Sequence, residues 1–159
     1  MHIEPGDLHD PTVVAFLEAH VAQLRAVTPP GSSHALDLDG LRRPDVSFWT
    51  AHDAGELVGC VALQTLTPTH GEGHVELKSM RTAPHRTRSG IGTALVVHVL
   101  DAAGAAGARR ISLETGSFEF FAPARRLYAR HGFVECEPFA DYRPDPESTF
   151  MTREVGGLG

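Results

Sequence analysis

The sequence predicts an α/β protein built on one mixed β-sheet. In the first half of the chain, short β-branched segments are separated by turn residues, which is typical of antiparallel strands. In the second half, apolar helical segments alternate with strands, which indicates a parallel β-α-β crossover. The predicted order of elements is β-α-α-β-β-β-α-β-α-β-β, and we expect one domain over residues 1–159.

Composition and charge exclude several classes of function. Hydrophobic residues make up 42% of the chain, and no apolar run approaches the roughly 18 residues of a membrane span. The N-terminal residues are neither basic nor apolar enough for a signal peptide, so we expect a cytoplasmic protein that binds no membrane. A net charge of −6 argues against a nucleic-acid partner. Cys60 and Cys136 stand in no metal-binding or redox spacing, which predicts two reduced thiols and no metal site.

Helical signals dominate the N-terminal part, and strand signals follow. Asp10 and Pro11 predict a helix start, because proline is favoured at the first helical position. Apolar residues then recur at helical spacing up to residue 27, and a second short helix is predicted within residues 34–43. Three strands are predicted next, at residues 46–52, 57–67 and 75–82, with a hairpin turn between the first two.

Two glycines mark helix ends in the second half. We predict helices over residues 90–106 and 122–131, each ended by a left-handed glycine, Gly107 and Gly132 respectively. The remaining strands are predicted at residues 109–114, 133–136 and 148–155.

The most informative segment is the stretch 80–93, MRTAPHRTRSGIGT. A strand leads into a short basic loop that contains Gly90 and Gly92, and an apolar helix begins directly afterwards. Glycines let the backbone approach a ligand closely, and free amides at a helix N-terminus bind anionic oxygens. Arg86 and Arg88 are expected to add positive charge. The segment therefore predicts a pyrophosphate cradle.

Several ligands are compatible with paired glycines in general. A nucleoside-triphosphate loop has the pattern Gly-x4-Gly-Lys-Ser/Thr, and this chain does not contain that pattern. A dinucleotide fold needs a third small residue where Leu95 stands and more parallel units than the remaining chain can supply, although Glu114 lies where its acidic residue belongs. A plain turn would leave the neighbouring arginines unexplained. The interpretation of the glycine loop that remains is a pyrophosphate site for an acyl-CoA.

Two blocks of sequence carry a specific resemblance to a family. Residues 84–92, PHRTRSGIG, resemble the CoA-binding loop of the GNAT superfamily of N-acetyltransferases. Residues 124–133, ARRLYARHGF, are similar to that superfamily's Ala-x-x-Leu-Tyr-x-x-x-Gly-Phe signature and follow in the family's order. Two positions differ, because Thr87 replaces the usual Gln or Arg of the loop and Phe121 replaces an Asn found in many relatives.

The resemblance implies the GNAT fold, with acetyl-CoA as co-substrate. The strand at residues 80–82 would pair with the pantetheine arm, which requires a β-bulge near Ser79–Met80 and a separation of the strands that end at Thr82 and Glu114. The residues expected to contact the cofactor are Met80, Arg81, Thr82, Thr87, Arg88, Ser89, Gly90, Ile91, Gly92, Thr93 and Arg125.

The resemblance also implies two catalytic residues for direct attack of an amine on the thioester. Tyr128 matches the tyrosine that protonates the leaving thiolate in relatives, and a phenol is protonated at neutral pH. Glu76 matches a glutamate that serves as base in histone-acetylating relatives. Glu72, His74 and Glu114 are alternative candidates for the base.

The acceptor is expected to be a primary amine, with a small molecule as the partner. Glu114, His34 and Tyr142 are the candidate substrate-binding residues, and the long connection at residues 137–147 is a candidate to line the acceptor site or a homodimer interface. Two alternatives remain open at this stage. One is a non-catalytic acyl-CoA-binding or regulatory module on the same fold, and the other is acetylation of a protein amine.

Overall fold

The computed structural model of the protein describes residues 1–27, 37–86 and 89–156. Three residues with a predicted role in the site, His34, Thr87 and Arg88, lie outside these ranges. Within them, the order of helices and strands is the predicted one. The strands are β1 His2–Pro5, β2 Val46–Asp53, β3 Glu56–Thr65, β4 His74–Thr82, β5 Arg110–Gly116, β6 Val134–Cys136 and β7 Ser148–Glu154. The helices are α1 Pro11–Val27, α2 Leu38–Leu41, α3 Ile91–Ala105 and α4 Ala122–Arg130.

The seven strands form one mixed sheet in the order β1-β2-β3-β4-β5-β7-β6. Every neighbouring pair is antiparallel except β4 and β5, which are parallel. The chain reaches β5 from β4 through α3, because parallel neighbours need a crossover connection rather than a tight turn. The predicted mixed α/β fold is therefore confirmed.

The apolar core lies on both faces of the sheet. The larger cluster lies under α3 and α4 and includes Val61, Leu95, Val99, Ile111 and Met151. The smaller cluster lies under α1 and α2 and includes Leu17, Leu41, Phe48, Cys60 and Ala62. Alternate residues of β3 belong to opposite clusters, as the two-residue period of a strand requires.

Local sequence signals fix the ends of most elements. Asp10 accepts a hydrogen bond from the amide of Thr12 at 2.9 Å, which satisfies a free amide at the start of α1. The turn between β2 and β3 has positive φ angles at Ala54 and Gly55, the geometry that suits a two-residue hairpin. Gly107 and Gly132 have φ angles of +81° and +88°, as predicted for residues that end helices.

The second helix is shorter than predicted. The sequence predicted a helix within residues 34–43, whereas α2 covers only Leu38–Leu41. The Asp37 side chain accepts a hydrogen bond from the amide of Gly40 and starts the helix at that point. Residues 34–36 of the predicted helix lie outside the described part of the chain.

Candidate active site

A β-bulge interrupts β4 in the middle of the sheet. Cys60 of β3 pairs with Arg81, while Ala62 pairs with Lys78, so Val61 faces both Ser79 and Met80. Ser79 has a φ of +54°, a left-handed conformation that is unusual for a residue other than glycine. An extra residue in one strand bends that strand and increases its twist. The bulge lies where the sequence predicted it.

Beyond Glu76, β4 and β5 separate. Their parallel pairing covers His74 with Arg110, Val75 with Ile111, and Glu76 with Ser112. From there β4 continues to Thr82 on the side of β3, and β5 continues to Gly116 on the side of β7. The edges of the two strands that face each other in this opening have backbone groups that are available to a ligand. We call this gap between β4 and β5 the strand opening.

The N-terminus of α3 lies beside the strand opening. Gly90 precedes the helix in a left-handed conformation, with a φ of +84°, and among the described residues no side chain is seen to cap the start of α3. A Cβ atom at Gly92 would lie 3.0 Å from Leu127 Cδ2 and 3.8 Å from both Met80 Cε and Thr82 Oγ1. The first turn of α3 therefore approaches the end of β4 closely, and its amides are free to bind an anion.

The basic character predicted for the glycine loop is partly neutralised within the chain. The guanidinium of Arg86 donates hydrogen bonds to the carboxylates of Asp53 and Glu56 in the β2–β3 hairpin. His85 Nε2 also lies 2.7 Å from Glu56 Oε2. Arg86 was expected to add positive charge beside the cradle, and these hairpin carboxylates reduce the charge that it can offer to a ligand.

Glu76 is a buried carboxylate at the start of the strand opening. Its side chain is 5% exposed, and its Oε2 accepts a hydrogen bond of 2.6 Å from the hydroxyl of Tyr142. Burial raises the pKa of Glu76 above its ordinary value, and the negative charge of Glu114 acts in the same direction. The hydrogen bond from Tyr142 and the charge of Lys78 lower the pKa and partly oppose this effect.

Tyr142 brings the connection between β6 and β7 onto Glu76. Its ring packs against Phe139 and Phe150, with ring centroids 5.1 Å and 5.4 Å away. Burial, followed by the charge of Glu76, raises the pKa of the Tyr142 phenol, which remains a hydrogen-bond donor to the carboxylate at neutral pH. The predicted base and a predicted substrate-binding residue, 66 residues apart, are therefore in direct contact.

Glu114 lies on the other side of the strand opening. Its Oε2 accepts a hydrogen bond of 2.7 Å from Ser148 Oγ, so β7 orients the carboxylate. Its charge also raises the pKa of both Glu76 and Tyr142. Three of the predicted residues, Glu76, Glu114 and Tyr142, thus form one electrostatically coupled group.

Two of the three alternative candidates for the base, His74 and Glu72, differ in their surroundings. His74 is buried, with Nδ1 2.9 Å from the carbonyl oxygen of His70 and Nε2 2.7 Å from Ser112 Oγ. Both ring nitrogens are therefore already engaged within the protein. Glu72 is exposed in the turn before β4. Of the candidates on β4 or before it, only Glu76 combines burial with a position at the strand opening.

Tyr128 lies in the core between α4 and the sheet. It is 5% exposed, and its ring contacts the edge of Phe133 with centroids 5.7 Å apart. Burial raises the pKa of the Tyr128 phenol, so the hydroxyl stays protonated at neutral pH. This environment suits a proton donor and also an aromatic residue of the core.

Arg125 and Phe121 hold the segment that joins β5 to α4. Arg125 Nη1 donates hydrogen bonds to the carbonyl oxygens of Gly116 at 2.6 Å and Phe118 at 3.0 Å. A Cβ atom at Gly116 would lie 2.1 Å from Phe121 Cδ2, so this ring needs a glycine beneath it. At the position where the sequence resemblance implied an Asn, the ring of Phe121 lies over Gly116.

Two contacts of the site escaped the sequence analysis. The buried thiol of Cys60 donates a hydrogen bond of 3.3 Å to the carbonyl oxygen of Ser79, at the bulge. The Arg81 side chain is 7% exposed and reaches His20 and Gln23 of α1. No local pattern indicates either contact, because both join elements that the fold alone brings together.

The described residues give two further findings about the molecule. No group of three or more His, Cys, Asp or Glu side chains in this part of the chain is placed to hold a metal ion. No helix in the same part is long and apolar enough to cross a membrane.

Sequence comparison assigns the chain to a class. The chain belongs to the acetyltransferase (GNAT) family, whose family model matches residues 12–133, and it is an N-acetyltransferase. It is similar to the uncharacterized N-acetyltransferase YsnE of Bacillus subtilis, with 44% identity over 155 residues that cover 98% of this chain and 100% of YsnE. It is also similar to the uncharacterized N-acetyltransferase YedL of Escherichia coli, with 44% identity over 94% of this chain and 92% of YedL.

A solved structure supports the same assignment. The fold is similar to that of a Klebsiella pneumoniae protein described as an acyl-CoA N-acyltransferase, with a TM-score of 0.77 and 25% sequence identity. The match covers 97% of each chain. The resemblance inferred from the glycine loop and the Leu-Tyr block is thereby confirmed at the level of the family.

Proposed function

We propose that the protein transfers an acetyl group from acetyl-CoA to a primary amine by direct attack within a ternary complex. The observation that carries the proposal is the strand opening, with the free amides of α3 at one side and the buried carboxylate of Glu76 at its start. This arrangement would offer an anion site to acetyl-CoA and a proton acceptor to the amine.

Backbone groups would hold the co-substrate. The amides at the first turn of α3, from Ser89 to Thr93, would bind the pyrophosphate through their partial positive charge. The backbone of β4 from Met80 to Thr82 would pair with the amide groups of the pantetheine arm, and an amide there would stabilise the developing oxyanion. Contacts from Thr87, Arg88 and Arg125 remain predictions.

Glu76 would act as the general base. A raised pKa makes its carboxylate a better proton acceptor for an ammonium group, provided that it is ionised at the working pH. Tyr142, bonded to one carboxylate oxygen, would orient the group and leave the other oxygen to face the amine or a bridging water. Glu114 would contribute negative charge that favours a cationic acceptor.

Tyr128 would supply the proton that the leaving group needs. In the balanced reaction the amine nitrogen bonds to the acetyl carbon, the carbon–sulfur bond breaks, Glu76 takes the amine proton and Tyr128 donates a proton to sulfur. Because burial raises its pKa, the Tyr128 phenol stays protonated until the carbon–sulfur bond breaks, and it would then donate a hydrogen bond and its proton to the departing sulfur, the proton being returned from solvent after CoA leaves.

A small molecule is the acceptor that fits best. The connection between β6 and β7 covers Glu76 through Tyr142 and Phe139, which favours a compact acceptor over a protein chain. His34 remains a predicted contact to that acceptor. The cytoplasm is the proposed compartment, because Cys60 and Cys136 are both free thiols.

Calorimetric titration with acetyl-CoA, with NADH and ATP as controls, tests the co-substrate. We expect micromolar binding of acetyl-CoA alone. Release of CoA is then followed with a panel of primary amines and with peptides that have free N-termini. Release with small amines supports the proposal, and release with peptides alone shows a protein acceptor. Tight binding of acetyl-CoA without release of CoA for any amine indicates a non-catalytic module. Binding of NADH in place of acetyl-CoA overturns the assignment of acetyl-CoA as co-substrate.

A further inference from the structure

Arg81 is a buried cation that forms no ion pair with a carboxylate of the described residues. Its Nη1 lies 3.0 Å from His20 Nδ1 and 3.1 Å from Gln23 Oε1, and its guanidinium carbon lies 4.9 Å from the centre of the Phe16 ring. A guanidinium only donates hydrogen bonds, so His20 Nδ1 is the acceptor of this one. The Arg81 Nε is buried and has no hydrogen-bond partner.

Within the described part of the chain, Arg81 has no counter-ion. No carboxylate in the described residues forms an ion pair with it. The undescribed internal segments, 28–36 and 87–88, contain no Asp or Glu in their sequence. Cys60 lies opposite on β3, but burial raises the pKa of its thiol to about 12, so it carries no charge at neutral pH. A buried charge without a partner is costly, so an unpaired buried cation is a candidate to bind a ligand of opposite charge.

Arg81 and Glu76 share one face of β4 on the two sides of the bulge. Glu76 pairs with Gln64 of β3, and Arg81 pairs with Cys60 of β3. Gln64 and Cys60 are an even number of positions apart, so their side chains lie on the same face of the sheet, and so do those of their partners. That side is the one under α1, where Cys60 belongs to the smaller core cluster. The proposed reaction takes place at the bulge, between a carboxylate and a cation on one strand.

We propose that Arg81 binds a carboxylate of the acceptor, so that the enzyme acetylates amines that carry a carboxylate, such as amino acids. This inference rests on the proposed function. The amine end of such an acceptor is directed to Glu76, and its carboxylate to the guanidinium. The planar fork of arginine matches a carboxylate with two parallel hydrogen bonds, and Nε is one of the donors that such a pair uses.

The first test uses the wild-type enzyme and pairs of acceptors that differ only in charge. Alanine, leucine and phenylalanine are each compared with their carboxamides, which keep the shape and remove the negative charge. With saturating acetyl-CoA, CoA release gives kcat/KM on the total amine concentration, because Glu76 is proposed to take a proton from the ammonium form. We expect at least a tenfold higher kcat/KM for the carboxylate member of the best pair.

The second test uses variants of Arg81. We expect Arg81→Gln to lower kcat/KM for the amino acid about 10- to 100-fold and to change that for the amide less than threefold, with acetyl-CoA affinity unchanged. For Arg81→Lys we expect a kcat/KM for the amino acid between those of the wild type and Arg81→Gln, because an ammonium keeps the positive charge but lacks the planar pair of donors. Arg43→Gln, which removes an arginine paired with Asp45 at the surface, is the matched control and should behave as wild type.

The outcomes separate the inference from the function on which it rests. Equal or better use of the amides by the wild-type enzyme overturns the role of Arg81 and leaves the acetyltransferase proposal intact. Equal losses for acid and amide in Arg81→Gln also overturn it, since they indicate a structural role only. Absence of transfer to any amine overturns both. If Arg81→Gln fails to bind acetyl-CoA or to fold, the wild-type comparison decides alone.

Discussion

At the scale of single residues, two opposing effects act on the carboxyl group of Glu76. Burial raises its pKa, because the charged form loses hydration, while the hydrogen bond from Tyr142 lowers the pKa by stabilising the carboxylate. A base needs both effects, since burial makes it a stronger proton acceptor and the hydrogen bond keeps it ionised at the working pH. Tyr142 is therefore a positioning residue for the base as well as a candidate contact to the acceptor.

Removal of the Tyr142 hydroxyl should shift the pH dependence of the reaction. In Tyr142→Phe the carboxylate loses the hydrogen bond that favours its charged form, so the pKa of Glu76 rises further. The acid limb of kcat/KM then moves to higher pH, and activity falls more at pH 6 than at pH 8. Steady-state rates over this pH range measure the shift.

The only other tyrosine of the chain provides a matched control. Tyr128→Phe makes the same chemical change at the proposed proton donor, so we expect a turnover at least tenfold lower at every pH, unchanged acetyl-CoA affinity and an unmoved acid limb. Wild-type turnover in Tyr128→Phe would remove Tyr128 from the mechanism. An unshifted limb in Tyr142→Phe would mean that Glu76 is not the titrating base.

At the scale of secondary structure, one strand and one helix create the site together. The bulge at Ser79 turns β4 away from β5, and the Cys60 thiol satisfies the Ser79 carbonyl that the bulge removes from regular pairing. The left-handed Gly90 then starts α3 with its amides uncapped beside the end of β4. A tight turn without this geometry would connect the same elements and leave no cradle.

A side chain at Gly92 should block the cradle. The Cβ direction there leads toward Leu127, Met80 and Thr82, so the longer side chain of Gly92→Glu would add bulk and negative charge at the mouth of the strand opening. We expect acetyl-CoA affinity to fall at least 100-fold in calorimetry while the protein stays folded. Gly104→Glu makes the same change at the exposed far end of α3 and should bind like wild type. Unchanged affinity in a folded Gly92→Glu variant would rule out this cradle.

Some features of this strand and helix could be predicted from the sequence, and others could not. Strand and helix order, the glycine ends and the bulge follow from local patterns or from the family resemblance, because neighbouring residues determine them. The pairing of Arg86 with the hairpin carboxylates and the contact between Tyr142 and Glu76 join distant segments. Side-chain directions set these contacts, and neither charge nor spacing along the chain specifies which partner is reached.

At the scale of the whole molecule, the site lowers the stability of the fold. Glu76 and Arg81 are both charged groups that folding buries on one face of β4, and neither has an opposite charge within ion-pair distance in the described residues. Replacement of such a group by a neutral one of equal shape often stabilises a protein. Active sites commonly retain these costs because the reaction needs the charges.

Glu76→Gln should therefore be inactive and more stable than wild type at neutral pH. The folded-state pKa of Glu76 is raised above its ordinary 4.5, so between that value and the folded-state pKa the folded protein binds more protons than the unfolded chain. The free energy of unfolding of the wild type then falls with rising pH relative to the variant. We expect a Tm about 2–4 °C higher for Glu76→Gln at pH 7.5, which corresponds to ~1 kcal/mol, and little difference at pH 4. Thermal unfolding at pH 4 and pH 7.5 measures this difference in Tm, with the exposed Glu135→Gln as the control. A Glu76→Gln variant that is less stable than wild type at pH 7.5 would contradict the proposed burial cost.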